Sequence, residues 1–133
     1  MKWHFDAPDP AAAAQARAAF SAFLRKSITP TSDLWAAELI FGELLGNAMR
    51  HALHPIVVRV KWISKRRARL EVRDCGPRIR YSPDLPEDVF KENGRGLFIV
   101  TNLAEEFHVK HDEKDCKLFA VILPVRKASG SKA

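Results

Sequence analysis

The sequence predicts a two-layer α/β sandwich, one sheet with helices on a single face, and three observations carry that expectation. Segments of two-residue and helical periodicity alternate in the order strand, two helices, two strands, loop, helix, two strands. The central strands have one apolar and one mainly basic face, so the helices belong on the apolar one. With 133 residues, 47% hydrophobic and 29% charged, the chain has room for one core and not for two domains. Residues 1–126 read as that domain and residues 127–133 as a polar tail.

Trp3 and Phe5 alternate with His4 and Asp6 in a short strand that Pro8 and Pro10 end. The first helix is expected from Asp9 to Lys26, because the run Ala11 to Ala14 lies among strong helix formers rather than in a linker. Thr29-Pro30-Thr31-Ser32 is a break followed by a helix cap. From Asp33 to Ala52, Leu34, Ala37, Phe41, Leu44, Leu45, Ala48, Met49 and Ala52 fall in one arc of a helix. The opposite side carries Glu43, Asn47 and Arg50, yet Leu39 and Ile40 flank them, so that side is not a wholly solvated face. After Pro55, Ile56 to Ile63 and Arg67 to Asp74 read as strands joined by the turn Ser64-Lys65-Arg66. Cys75 to Gly94, with Pro77, Pro83 and Pro86, reads as a long loop with a helical turn near Pro86 to Lys91. Gly96 to Leu103 is helical, and Glu106 to His111 and Cys116 to Val125 are the last strands.

Several classes are set aside at once. No apolar stretch reaches the ~18 residues that span a bilayer, and the N-terminus lacks an export signal, so a cytoplasmic protein is expected. Cys75 and Cys116 belong to no C-x-x-C pair and are expected as free thiols, Cys75 as a small buried filler. His51-x-x-His54 and His108-x-x-His111 are not expected to bind metal, since the second pair points to opposite faces of a strand. A net charge of +6 favours an anionic partner: a nucleotide, an acidic protein or a nucleic acid.

Three short strings carry chemistry. Glu43 and Asn47, one helical turn apart, project a carboxylate and an amide carbonyl toward the same point, which suits a metal and a nucleophile, although alone such a pair is commonly surface decoration. Asp74-Cys75-Gly76 places an acid at a strand end beside a glycine that lets a ligand come close, or else is a plain turn. Gly94-Arg95-Gly96-Leu97 opens a helix whose free amides and dipole attract phosphate, with Arg95 adding positive charge, or else is a flexible turn.

Together and in this order, ELLGNAMRHA, EVRDCGPRIR and ENGRGLFIV resemble the nucleotide-binding boxes of the GHKL ATPase superfamily, and nearly the whole chain resembles its anti-sigma-factor serine kinases. The resemblance implies the Bergerat ATP-binding fold, a mixed and mostly antiparallel sheet with helices on one face and a lid over the nucleotide. It implies Glu43 as general base, Asn47 as magnesium ligand, Asp74 as adenine reader, Gly76 as the opening for the base, and Gly94, Arg95, Gly96 and Leu97 as the phosphate loop. His51 follows the pattern of the first box as a supporting residue. ATP and Mg2+ are the implied cofactors. The implied partners are an anti-anti-sigma, STAS-like protein that is phosphorylated on serine and a sigma factor or similar regulator that is sequestered, with a homodimer reasonable.

Two departures bear on the site. Arg78 stands where the family usually has a second glycine, and Asp115-Cys116-Lys117 replaces the usual Gly and Thr near the adenine. These departures favour, as a second reading, an ATP-sensing binding module without phosphotransfer. A severed histidine-kinase catalytic domain is set aside because the chain begins almost at once with its first strand. Nucleic-acid binding through Arg59, Lys61, Lys65, Arg66, Arg67, Arg69 and Arg73 is the least favoured reading, because no RNA-binding aromatic motif accompanies them.

Overall fold

The computed structural model describes residues 1–51, 55–75, 96–111 and 116–130, with the side chain of His51 left out. Among these, strand β1 (Lys2–Phe5) precedes helices α1 (Pro10–Arg25) and α2 (Leu34–His51); β2 (Ile56–Ile63), β3 (Arg67–Asp74), α3 (Gly96–Leu103), β4 (Glu106–His111) and β5 (Lys117–Arg126) come after them. The order is the expected one. Of the expected loop from Cys75 to Gly94, all but Cys75, including its helical turn, lies outside the described residues.

Local chemistry sets the helix starts. Asp9 caps α1 by accepting from the Ala12 amide at 3.0 Å, and Pro10 takes the first helical position, where its missing N–H costs nothing. Asp33 caps α2 in the same way, accepting from the Ala36 amide at 3.0 Å. Ser32 ties the break before α2 to β5 instead, its hydroxyl accepting from the Arg126 amide at 2.9 Å.

The five strands form one sheet in the order β1-β2-β3-β5-β4, and every pairing among the described strands is antiparallel. The turn between β2 and β3 is a short 3-10 segment in which Lys65 and Arg66 both adopt φ 59°. In β2 the residues Ile56, Val58 and Val60 are buried while Arg59 and Lys61 are exposed, and in β3 Ala68, Leu70, Val72 and Asp74 turn to the same inner side. The helices cover that side. Phe20 of α1 stacks on Phe41 of α2 at 4.1 Å, and Trp3 of β1 meets Phe41 edge-on at 5.4 Å, so both helices and the edge strand meet in one aromatic contact.

The expectation of free thiols is overturned. Cys75 and Cys116 form a disulfide. The register explains how: Asp74 at the end of β3 pairs with Lys117 at the start of β5, so the residues just beyond, Cys75 and Cys116, lie opposite one another across the strand ends. Neither cysteine is therefore a free filler. The chain after β5 is also anchored, since the Lys127 amide donates to the Arg66 carbonyl at 2.8 Å and the Ala128 amide to the Ser27 carbonyl at 2.6 Å.

Candidate functional site

The inner face of α2 and the ends of β3 and β5 carry the polar groups that a pure core would exclude. Asn47 is 2% exposed, and neither its Oδ1 nor its Nδ2 has a hydrogen-bond partner among the described residues. A buried primary amide left so costs a few kcal/mol by order of magnitude, which makes it a position kept for something other than packing. Helical spacing explains its placement: Asn47 and Glu43 share the side of α2 that Ile40 and Ala36 continue, and these apolar neighbours are fully buried.

The element that covers this side is α3, which packs chiefly on α2. Gly96, its first residue, is buried so close to Glu43 that a Cβ built there would stand 2.5 Å from Glu43 Oε2. Only glycine admits that approach without displacing the carboxylate. Glu43 thereby lies against the N-terminal end of α3, beside a buried amide one turn away on its own helix.

At the strand ends, Asp74 is fully buried and its Oδ1 lies 3.4 Å from the ammonium of Lys117, itself 2% exposed. The two are register partners on the inner face, and Lys117 Nζ also sits 5.7 Å from the centroid of the Phe119 ring. A carboxylate and an ammonium buried together hold each other only while both remain, because either one alone is an uncompensated charge. The disulfide lies immediately beyond this pair.

Of the residues expected at the site, Glu43 and Asn47 lie on one side of α2, Gly96 touches Glu43, Leu97 is buried at the start of α3, and Asp74 ends β3 on the inner face. Gly76, Gly94 and Arg95, together with Arg78, lie outside the described residues, as does the side chain of His51. Among the described residues no group of three His, Cys, Asp or Glu could hold a metal ion. Lys117 is the residue that the sequence motifs did not assign to the site. Alternation along β5 would have pointed to it, since it shares a face with Phe119, Val121 and Leu123, all buried.

With this geometry in place, comparison with known proteins decides the family. The profile of the histidine kinase-like ATPase domain, HATPase_c_2, matches residues 7–121. The chain belongs to that family. No curated protein sequence matches it. Among solved structures it is similar to full-length ShkA in complex with AMPPNP, with 22% identity and a TM-score of 0.60, covering 92% of this chain and 32% of that one. It is similar to the histidine kinase AdeS of Acinetobacter baumannii at 18% identity and TM-score 0.54, covering 93% of this chain and 67% of AdeS. The histidine kinase domain of the E. coli osmosensor EnvZ aligns at 19% identity and TM-score 0.52, covering 98% of this chain and 94% of that domain. This chain thus spans about a third of the length of ShkA, and the likeness is one of fold. The GHKL resemblance and the two-layer architecture hold, and membership of an ATPase-domain family supports nucleotide binding. No described helix is long and apolar enough to cross a membrane.

Proposed function

We propose that the chain is a cytoplasmic ATP-binding switch protein of the anti-sigma-factor kind, which transfers the γ-phosphoryl group of ATP to a serine of a STAS-like partner and, when loaded with ATP, holds a sigma factor or similar regulator. The observation that carries the reading is Asn47, a buried amide with no hydrogen-bond partner among the described residues, one turn from a carboxylate that closely approaches Gly96. An unengaged amide oxygen is a hard donor, so Asn47 fits a magnesium ion, with waters and phosphate oxygens supplying the remaining ligands. Magnesium bound there would neutralise phosphate charge.

The chain's own residues supply the rest. Asp74 accepts from the adenine amino group, Gly76 leaves room for the base, and the amides of Gly94 to Leu97 with Arg95 take the phosphates. Glu43 accepts the proton of the serine hydroxyl as its oxygen bonds to the γ-phosphorus and the bond to the β-phosphate oxygen breaks, leaving ADP and phosphoserine. The second reading, an ATP sensor without phosphotransfer, rests on the departures at Arg78 and Asp115-Cys116-Lys117, while the ion pair of Lys117 with Asp74 bears on affinity for the base in both readings.

Glu43→Gln separates the two. It keeps size and removes basicity, so a working kinase should lose about a hundred- to ten-thousandfold in turnover while ATP affinity stays within a few fold. The assay is transfer from labelled ATP to proteins of a cell extract, beside a binding isotherm for each protein. Transfer that survives the substitution removes Glu43 as base. A wild type that binds ATP yet never turns it over, even with candidate partners, favours the sensor.

A further inference from the structure

The outer face of the sheet, opposite the helices and the proposed nucleotide site, gathers basic side chains in rows set by strand register. Lys2 stands across from Arg59, Lys61 across from Arg69, and Arg73 lies two residues from Glu71 on the same face. Like charges placed directly opposite each other destabilise a sheet, and the acids on this face are few: Glu71 stands across from Arg59, and Glu106 is bonded by Arg67. Some of these cations have internal partners. Arg67 bonds Glu106 and approaches Glu105 at 3.8 Å, and Arg69 approaches Glu71 at 3.5 Å. The Arg67 hydrogen bond is the main cause holding the Glu106 carboxyl below its ordinary value, with His108 next. Arg59, Lys61 and Lys110 have no such partner among the described residues.

Between β2, β3, β5 and β4 this face sinks into a groove of about 350 Å³. Ile63, Ala120 and Ile122 line its apolar part, while Arg67, Arg69 and Lys110 stand around it with His108 and with Glu106, whose carboxylate Arg67 already bonds. Ala120 and Ile122 belong to the outward side of β5 and lie low in the groove, at 4% and 8% exposure.

We infer that this groove is a docking site for an acidic amphipathic helix of a partner protein, whose aliphatic side chains enter the groove and whose carboxylates meet Lys61, Arg69 and Lys110. Charge complementarity selects an acidic occupant. The aliphatic lining selects a polypeptide over a polyphosphate chain, which has nothing to place there. No Phe, Trp or Tyr ring of the described residues lies on this face, so it lacks the platform on which nucleic-acid bases stack. A second copy would bring the same positive face against itself.

The test uses the full chain and a labelled synthetic helical peptide of Leu and Glu, with leucines at i, i+3, i+4 and i+7. Its controls are the same peptide with every leucine replaced by serine, and single-stranded and duplex DNA of similar charge. The expected result is peptide binding that weakens with salt, falls at least ~tenfold in Lys61→Glu/Lys110→Glu, and falls comparably for the serine peptide. Lys61→Ala/Lys110→Ala is the milder pair, expected to lose a smaller share of the same affinity. ATP isotherms of both variants should match wild type, which keeps failure of this site distinct from failure of the nucleotide reading. Binding that ignores the charge changes, a serine peptide that binds as well, or DNA that binds more tightly would each overturn the inference.

Discussion

Lys117 changes what Asp74 can do. In a site where the acid reads the base alone, Asp74→Asn would remove an ionised acceptor and little else. Here it would also strip Lys117 of its buried counter-charge, at a cost of about 3–5 kcal/mol in stability by analogy with other broken buried pairs. Lys117→Thr is the informative partner substitution. If the ammonium competes with the base for Asp74, Lys117→Thr should tighten ATP binding severalfold even as it destabilises the fold. The double variant Asp74→Asn/Lys117→Thr should lose less stability than the two single changes added, with a coupling of about 1–3 kcal/mol read from denaturant midpoints. Unchanged ATP affinity in Lys117→Thr would show that the ammonium and the base do not share the carboxylate. The placing of Glu43 and Asn47 on one side of α2 and of Asp74 at a strand end was legible in the sequence, because each lies in a short motif whose spacing survives folding. Lys117 was harder to assign, since its meaning depends on which residue faces it across the sheet, and that register is a property of the whole ladder.

At the scale of elements, two staples hold the site's frame. One is the close approach of α3 to α2 at Gly96, which the string GRGLF announced as a helix start but which reveals its purpose only against Glu43. The other is the disulfide closing β3 onto β5. The expectation of free thiols failed for a physical reason: the two cysteines are 41 residues apart, and nothing in their local sequence tells that Asp74 and Lys117 are partners. Helix starts, by contrast, were legible because capping is local, and Asp9 and Asp33 cap where an acid precedes an apolar helical stretch. Closing a loop of that length constrains the unfolded chain by about 4 kcal/mol in the chain-entropy account. Cys75→Ser/Cys116→Ser, or reduction of the wild type, should lower the unfolding free energy by an amount of that order, measured by urea titration with and without reductant. A wild type whose urea midpoint ignores reductant would show that the bond does not contribute to the folded state in solution. The reductant should have no effect on the double-serine variant.

Over the whole molecule, charge and apolar surface are sorted to opposite sides of one sheet. The inner face takes the helices, the buried amide and the Asp74–Lys117 pair, while the outer face carries much of the excess that gives the chain its charge of +6. The alternation of Val58, Val60, Leu70 and Val72 with Arg59, Lys61, Arg69 and Arg73 made that sorting readable in the sequence, because side chains one residue apart in a strand point to opposite faces. The sorting has a thermodynamic consequence. Salt screens both the repulsions in the rows Lys2–Arg59 and Lys61–Arg69 and the attractions of Arg67 and Arg69 to their glutamates. Exposed ion pairs contribute only about 0–1 kcal/mol each, and the face is net positive, so the repulsions should dominate the balance. Raising NaCl from about 0.1 to about 1 M shortens the Debye length from roughly 10 to 3 Å. That change should stabilise the protein by about 1 kcal/mol and raise Tm by roughly 2–4 °C. Arg59→Ser/Lys61→Ser removes one member of each row and should show a smaller rise, which separates screening from the general effect of salt on apolar burial. A Tm that falls with NaCl, or a rise equal in wild type and variant, would mean that the outer face carries no repulsion for salt to relieve.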